Sequence, residues 1–213
     1  MRASLLAAAT LFGALSAAAQ QYSFEGTVDY QVQNGATMLY ASGQGIVRLD
    51  ISGQRGSMAT ILDPAKNTMT VVMAAQKMYM VREMPDLKGA AAAADSDAKI
   101  TNTGKTDVVA GTKCEVWTGQ SSRGTFEVCA ARDMGSFFVG MGGRREPPEW
   151  AKQLKGNFFP LRVINAQGET VLLATKIERK KLDASYFAVP ADYKKMDMPP
   201  MPGMGGAPPP PND

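Results

Sequence analysis

The feature that most constrains this chain is a period of two. From Phe24 onward apolar and polar residues alternate, with Phe24, Val28, Tyr30 and Val32 on one side and Glu25, Thr27, Asp29 and Gln31 on the other. The pattern recurs. Val47, Leu49 and Ile51 oppose Arg48 and Asp50, while Met78 and Met80 oppose Tyr79 and Val81. Met69, Val71 and Met73 follow the turn-forming Asp63-Pro64-Ala65-Lys66-Asn67; Leu161 and Val163 lead through Asn165-Ala166-Gln167-Gly168 into Val171, Leu173 and Ile177. Successive strand residues point to opposite faces, so such runs separated by short turns predict an antiparallel sheet and a mainly β (α+β) fold.

Some segments depart from the alternation. Residues 86–102, with Ala90 to Ala94 at the centre, carry helix formers without an apolar stripe and read as loop or weak surface helix. Residues 147–156 read as a short covering helix: Pro147 opens it, Gly156 stops it, and Trp150 and Leu154 lie one turn apart. That helix would lay Trp150 on the sheet. The apolar, glycine-rich Ser136-Phe137-Phe138-Val139-Gly140-Met141-Gly142-Gly143 reads either as a flap over a hydrophobic surface or as a buried strand edge.

The ends divide the chain. Arg2, the apolar run Leu5 to Leu15 and the small residues Ser16-Ala17-Ala18-Ala19 have the layout of a secretory signal peptide over residues 1–19. The run is too short and alanine-rich for a spanning helix, which takes about 20 apolar residues, and no cysteine follows it to anchor a lipid. Residues 20–195 form the predicted domain, and residues 196–213 (Met, Pro and Gly with no β-branched or aromatic residue) form a tail that cannot offset its ordering entropy. The expectation is a soluble periplasmic protein without a transmembrane anchor. Removing Arg2 takes the formal charge from +3 to +2, too little to indicate a nucleic-acid partner.

Within residues 103–119, Gly104-Lys105-Thr106 matches the end of a nucleotide-binding loop. Such a loop needs a glycine five positions before Gly104, and Lys99 stands there. No nucleotide is expected, and the three residues read as a turn. Behind them, Cys114 and Cys129 lie in β-like runs joined by Gly119-Gln120-Ser121-Ser122-Arg123-Gly124. In an oxidising compartment this predicts a disulfide-closed hairpin. Simple alternation groups Cys114 with Val116 and Cys129 with Glu127, so a bulge or an offset pairing is needed to bring them face to face.

The chain has no histidine, which removes the commonest general base, the usual zinc sites and the Ser-His-Asp triad. No catalytic residue and no cofactor is indicated. Methionine is the surplus, with 14 in the chain. Met58, Met69, Met73, Met78 and Met80 fall in strands, as core filler or as the lining of an adaptable apolar groove. Met196, Met198, Met201 and Met204 are spaced along the tail, where soft thioethers could gather Cu(I).

Several stretches resemble one bacterial family, domain of unknown function 4412. They are Phe24-Glu25-Gly26, Thr103-Gly104-Lys105-Thr106 with Cys114-Glu115-Val116-Trp117, and the closing Leu182-Asp183-Ala184-Ser185-Tyr186-Phe187-Ala188-Val189-Pro190-Ala191-Asp192-Tyr193. The resemblance implies a fold similar to the periplasmic lipoprotein carriers (LolA-like): a single, strongly curved antiparallel sheet, a half-barrel with helices on its concave face. It implies no catalytic residues.

The leading expectation is a non-enzymatic binding protein that offers an apolar concavity to a lipid, acyl chain or lipoprotein. Its predicted lining is Tyr30, Val47, Leu49, Met78, Met80, Phe137, Phe138 and Trp150. The alternatives are copper handling by the methionine tail, and an envelope interaction or sensor domain that binds a protein through a sheet edge without a small ligand.

Overall fold

A computed structural model describes residues 24–54, 56–84, 99–121, 124–135, 137 and 158–196. The expected signal peptide, the helix over 147–156, Phe138, Trp150 and the tail beyond Met196 lie outside them. The described residues form one 12-stranded sheet, open at both edges, in the order β12-β6-β5-β4-β3-β2-β1-β11-β10-β9-β8-β7. The N-terminal meander comprises β1 (Gly26–Val32), β2 (Ala36–Gly43), β3 (Ile46–Gly53), β4 (Gly56–Asp63), β5 (Thr68–Met73) and β6 (Met78–Glu83). The C-terminal meander comprises β7 (Lys99–Val109), β8 (Thr112–Ser121), β9 (Gly124–Ala131), β10 (Phe159–Ile164) and β11 (Thr170–Arg179). Antiparallel pairing of β1 with β11 joins the two, and β12 (Lys194–Lys195) adds a parallel edge to β6. Short 3-10 turns are the only helical elements among the described residues.

The sheet is curved, as expected. Four strand steps in a flat sheet span about 19 Å, yet β7 and β11, with three strands between them, come within 8 Å. The inner face carries the main core, from Leu62 and Met69 at one end to Val109 and Cys114 at the other. At its centre is an aromatic cluster. Tyr40 stacks on Phe137 at 5.0 Å and meets Phe159 edge-on at 5.1 Å, while Phe24 lies 5.5 Å from Phe159. Tyr30 is 1 % exposed, and its hydroxyl donates to the Pro160 carbonyl at 2.9 Å. Burial pushes that phenol well above its ordinary pKa, so it stays a neutral donor.

The outer face is apolar in two places, and each is covered differently. At the β7–β10 end, Ile100, Trp117, Val128 and Ala130 make a small cluster. At the β2–β6 end, the segment after β11 crosses the sheet as a strap that seats Leu182 and Phe187 on Ala41, Ile61 and Val72. The Asp183 carboxylate caps the turn Ala184–Phe187 by accepting from the Ser185 amide at 2.9 Å. Arg48 holds Asp50 through two 2.8 Å contacts and donates to the Tyr186 carbonyl at 2.9 Å. The strap ends as β12, with the Lys194 amide donating to the Lys77 carbonyl and the Met196 amide to the Tyr79 carbonyl.

Three expectations are corrected, two of them by bulges. Thr103, Gly104 and Lys105 do not form a turn between elements: they bulge out of β7 opposite Val116. Gly104, at a φ of 72°, gives the left-handed kink, and the Asn102 side chain accepts from its amide at 2.8 Å. Residues 99–102, read as loop or helix, are the start of β7. Leu161 and Val163 do not share a face, because Leu161 is the extra residue where Pro160 pairs with Ala130 and Arg162 with Cys129. Leu161 therefore enters the main core and Val163 the outer cluster.

The disulfide needs no bulge. Val116 pairs with Cys129, which sets Cys114 diagonally from Cys129 on the same face with a Cα–Cα distance of 5.3 Å. Both cysteines are buried, at 2 % and 0 % exposure, so the bond is a core staple. Replacing both (Cys114→Ala with Cys129→Ala) is expected to lower the unfolding free energy by about 3 kcal/mol, read from denaturant titration. Phe187→Ala should cost about 3 kcal/mol and speed hydrogen exchange at the Lys194 and Met196 amides. An effect on stability without faster exchange there would show that the strap does not hold β12.

Candidate functional site

Register fixes which side chains meet on the inner face, since directly paired residues point the same way. One row runs Tyr30, Met38, Ile51, Met58, Met73, Met78 and Lys194 across β1, β2, β3, β4, β5, β6 and β12. The next runs Val28, Tyr40, Leu49, Thr60, Val71 and Met80, and the third Ser42, Val47, Leu62, Met69 and Arg82. The β1–β2 part of these rows is sealed by the aromatic cluster. Beyond Leu49 and Leu62 the face opens: Ile51 is 40 % and Met58 46 % exposed, and Val71, Met73, Met78 and Met80 are half-buried.

The predicted lining therefore splits. Tyr30, Val47, Leu49 and Phe137 share the inner face, but Tyr30, Val47 and Leu49 are at most 4 % exposed and serve as core. Phe137 is packed between Tyr30, Tyr40 and Phe159. Met78 and Met80 do reach surface, at the opposite end of the rows from Tyr30. Phe138 and Trp150 lie outside the described residues, as do Met198, Met201 and Met204 of the proposed metal set; Met196 is described and half-buried. Ile51 was missing from the predicted lining, and Met58 and Met73, read as core filler or groove lining, fall on its open side. Their signal was in the sequence: the turn at 74–77 places Met73 opposite Met78, and the next turn back places Met58 opposite Met73.

Elsewhere several polar groups are used internally. A shallow groove on the outer face, lined by Arg48, Asp50, Tyr186 and Val189, has its charges paired, the hydrogen bond to Asp50 holding Arg48 above its ordinary pKa. A second groove, around the β1–β2 turn, has Glu169 engaged by Gln33 at 2.9 Å and Asn165 at 3.0 Å. On the inner face of β7–β10, Arg162 bridges Asp107 at 2.8 Å and Glu127 at 3.5 Å. The Val108 amide and Arg162 hold the Asp107 carboxyl below its usual range. Among the described residues, no group of three or more His, Cys, Asp or Glu side chains could hold a metal ion, and no helix is long and apolar enough to cross a membrane.

Comparison with known proteins gives a family and loose structural neighbours. No curated protein matches the chain. A crystal structure of an uncharacterized conserved protein from Thermus thermophilus aligns with a TM-score of 0.46 and 12 % identity, over 80 % of this chain and 87 % of that one. A structure of PNGF-II aligns at 0.45 and 13 % identity, over 82 % of this chain and 31 % of that one. MucB in complex with MucA(peri) aligns at 0.34 and 17 % identity, over 82 % and 55 %. The model of the domain of unknown function DUF4412 matches residues 24–193, from the start of the sheet to the end of the strap, and the chain belongs to that family.

Proposed function

We propose that the protein is a non-catalytic periplasmic binding protein whose open methionine face receives the acyl chain of a lipid or lipoprotein. The observation that carries this reading is the run of half-exposed apolar side chains continuous with the core, with Ile51 and Met58 the most exposed. Isolated exposed apolar residues are ordinary, but a contiguous patch across four strands is a feature of binding surfaces. Methionine suits a chain-like ligand because its unbranched, polarizable side chain adapts to irregular shapes. Lys194 borders the patch opposite Met78 and suits an anionic headgroup. The buried disulfide supports an oxidising compartment.

Binding a protein through the sheet edge has less support. Edge strand β7 carries its own protection: the Gly104, Lys105 and Val108 amides donate to the side chains of Asn102, Thr103 and Asp107, at 2.8, 3.2 and 2.7 Å. A bulge and self-satisfied amides are devices that discourage a foreign strand.

The test is titration with a fluorescent long-chain fatty acid. Met58→Asp with Met80→Asp should weaken uptake by at least about tenfold, a loss of roughly 1.4 kcal/mol, while leaving the fold intact by circular dichroism. Tyr30→Phe, sealed in the core, should leave uptake unchanged and lower stability by about 1 kcal/mol. Unchanged uptake in the folded double Asp variant would sink the reading.

A further inference from the structure

We infer that the strand methionines at this end of the sheet form a thioether site for Cu(I), built on Met73, Met78 and Met80 and flanked by Met58 and Met196. The inference rests on register. Met58 pairs with Met73, and Met73 with Met78, so three thioethers lie on consecutive strands at one level of the inner face. Directly opposed positions are about 4.5–5.5 Å apart at Cα, close enough for long side chains to converge on one point. Met80 is two residues on from Met78 on the same face and diagonal to Met73, within the reach of a side chain as long as methionine. The strap supplies the fifth member. Lys194 pairs with Met78 and Lys195 with Tyr79, and the Met196 amide donates to the Tyr79 carbonyl at 2.7 Å, which sets Met196 level with Met80.

The chemistry of the donor set selects the ion. Thioethers are soft and neutral, and soft sulfur ligands favour Cu(I). Because they cancel none of the metal's charge, a monovalent ion is less costly than a divalent one on a half-buried face bordered by Lys194. No carboxylate, imidazole or thiolate on these rows competes for the ion: the residues beside the methionines are Ile51, Leu49, Thr60 and Val71. Borderline Zn(II), which takes thiolate, imidazole or carboxylate, and hard Mg(II), which takes oxygen, have no suitable donor on these rows. The site differs from the tail array of Met198, Met201 and Met204, since all five of its methionines are placed by strand pairing or by the backbone hydrogen bond that extends β12.

The experiment is titration of the full chain with Cu(I) under anaerobic ascorbate, against a chromogenic Cu(I) chelator, with Zn(II) as the control ion. One equivalent of Cu(I) and no Zn(II) should bind. Met→Leu keeps the apolar volume but removes the donor. Met73→Leu with Met78→Leu and Met80→Leu should weaken Cu(I) binding by at least about a hundredfold, or roughly 2.7 kcal/mol, and Met78→Leu alone should weaken it measurably if the triple variant folds poorly. Met198→Leu with Met201→Leu and Met204→Leu should leave the affinity unchanged. Undiminished Cu(I) affinity in the strand variants, or loss confined to the tail variant, would overturn the assignment.

Discussion

The pairing of β1 with β11 is the constraint on which the rest of the sheet depends. Each meander consists of neighbours in sequence, but the seam between them joins residues such as Thr27 and Glu178, 151 positions apart. That closure costs chain entropy which no local turn offsets. Gly26 makes it sterically possible: at a φ of 143°, any Cβ there would run into the Glu178 carbonyl oxygen. At the other side of the seam a bulge at Thr175 shifts the register, and the Thr175 hydroxyl donates to the Asp29 carbonyl at 3.2 Å. The aromatic cluster sits over this junction and draws Phe24, Tyr30 and Tyr40 from one meander and Phe159 from the other. Backbone pairing and ring packing thus fasten the same line twice.

A sheet with apolar residues on both faces needs two covers, and the chain provides them by unlike means. The inner face covers itself by curling, so that β7 approaches β11 and Val109 joins the core. The outer face at β2–β6 cannot, because curvature opens it. There the strap supplies Leu182 and Phe187, and the absence of a side chain at Gly43 makes room: a Cβ would meet the Phe187 ring at 3.3 Å. The closing motif that carries the family resemblance is therefore a packing element. Its continuation into β12 also shields the β6 edge, which would otherwise present unpaired amides.

Much of this was legible in the sequence, and the part that was not has a common cause. Period-two alternation assigned Phe24, Val28 and Tyr30 to one face, separated Val47, Leu49 and Ile51 from Arg48 and Asp50, and carried the two cysteines into neighbouring strands. Bulges escaped it because a strand's own residues do not determine its partner's register. Leu161 and Val163 read as same-face neighbours, and only pairing with Cys129 and Ala130 separates them. The three-residue bulge at Gly104 looked like a turn because both need the same left-handed glycine. For the site, alternation found the correct face but not which part of it is covered. Tyr30 and Met78 belong to one row, yet whether a residue ends as core or surface depends on Phe137 and Phe159, which arrive from elsewhere in the chain.

The division of residue types along that row has a physical reason. Aromatic rings gain most in fixed geometries with ring neighbours, and they occupy the end where the other meander provides those neighbours. Methionines occupy the end where the described residues provide none. Ordering a methionine costs up to about 2 kcal/mol of side-chain entropy, so half-buried methionines on an open face lose less freedom than the same residues fixed in a core. Leucine would cover the same area with less side-chain adaptability and without a donor atom. A face built from methionine stays deformable toward an apolar chain and keeps its sulfurs available to a soft ion. Met196, brought alongside Met80 by the strap, ties that face to the packing of the opposite side of the sheet. The segment that closes the outer face thereby also sets the boundary of the open end of the inner one.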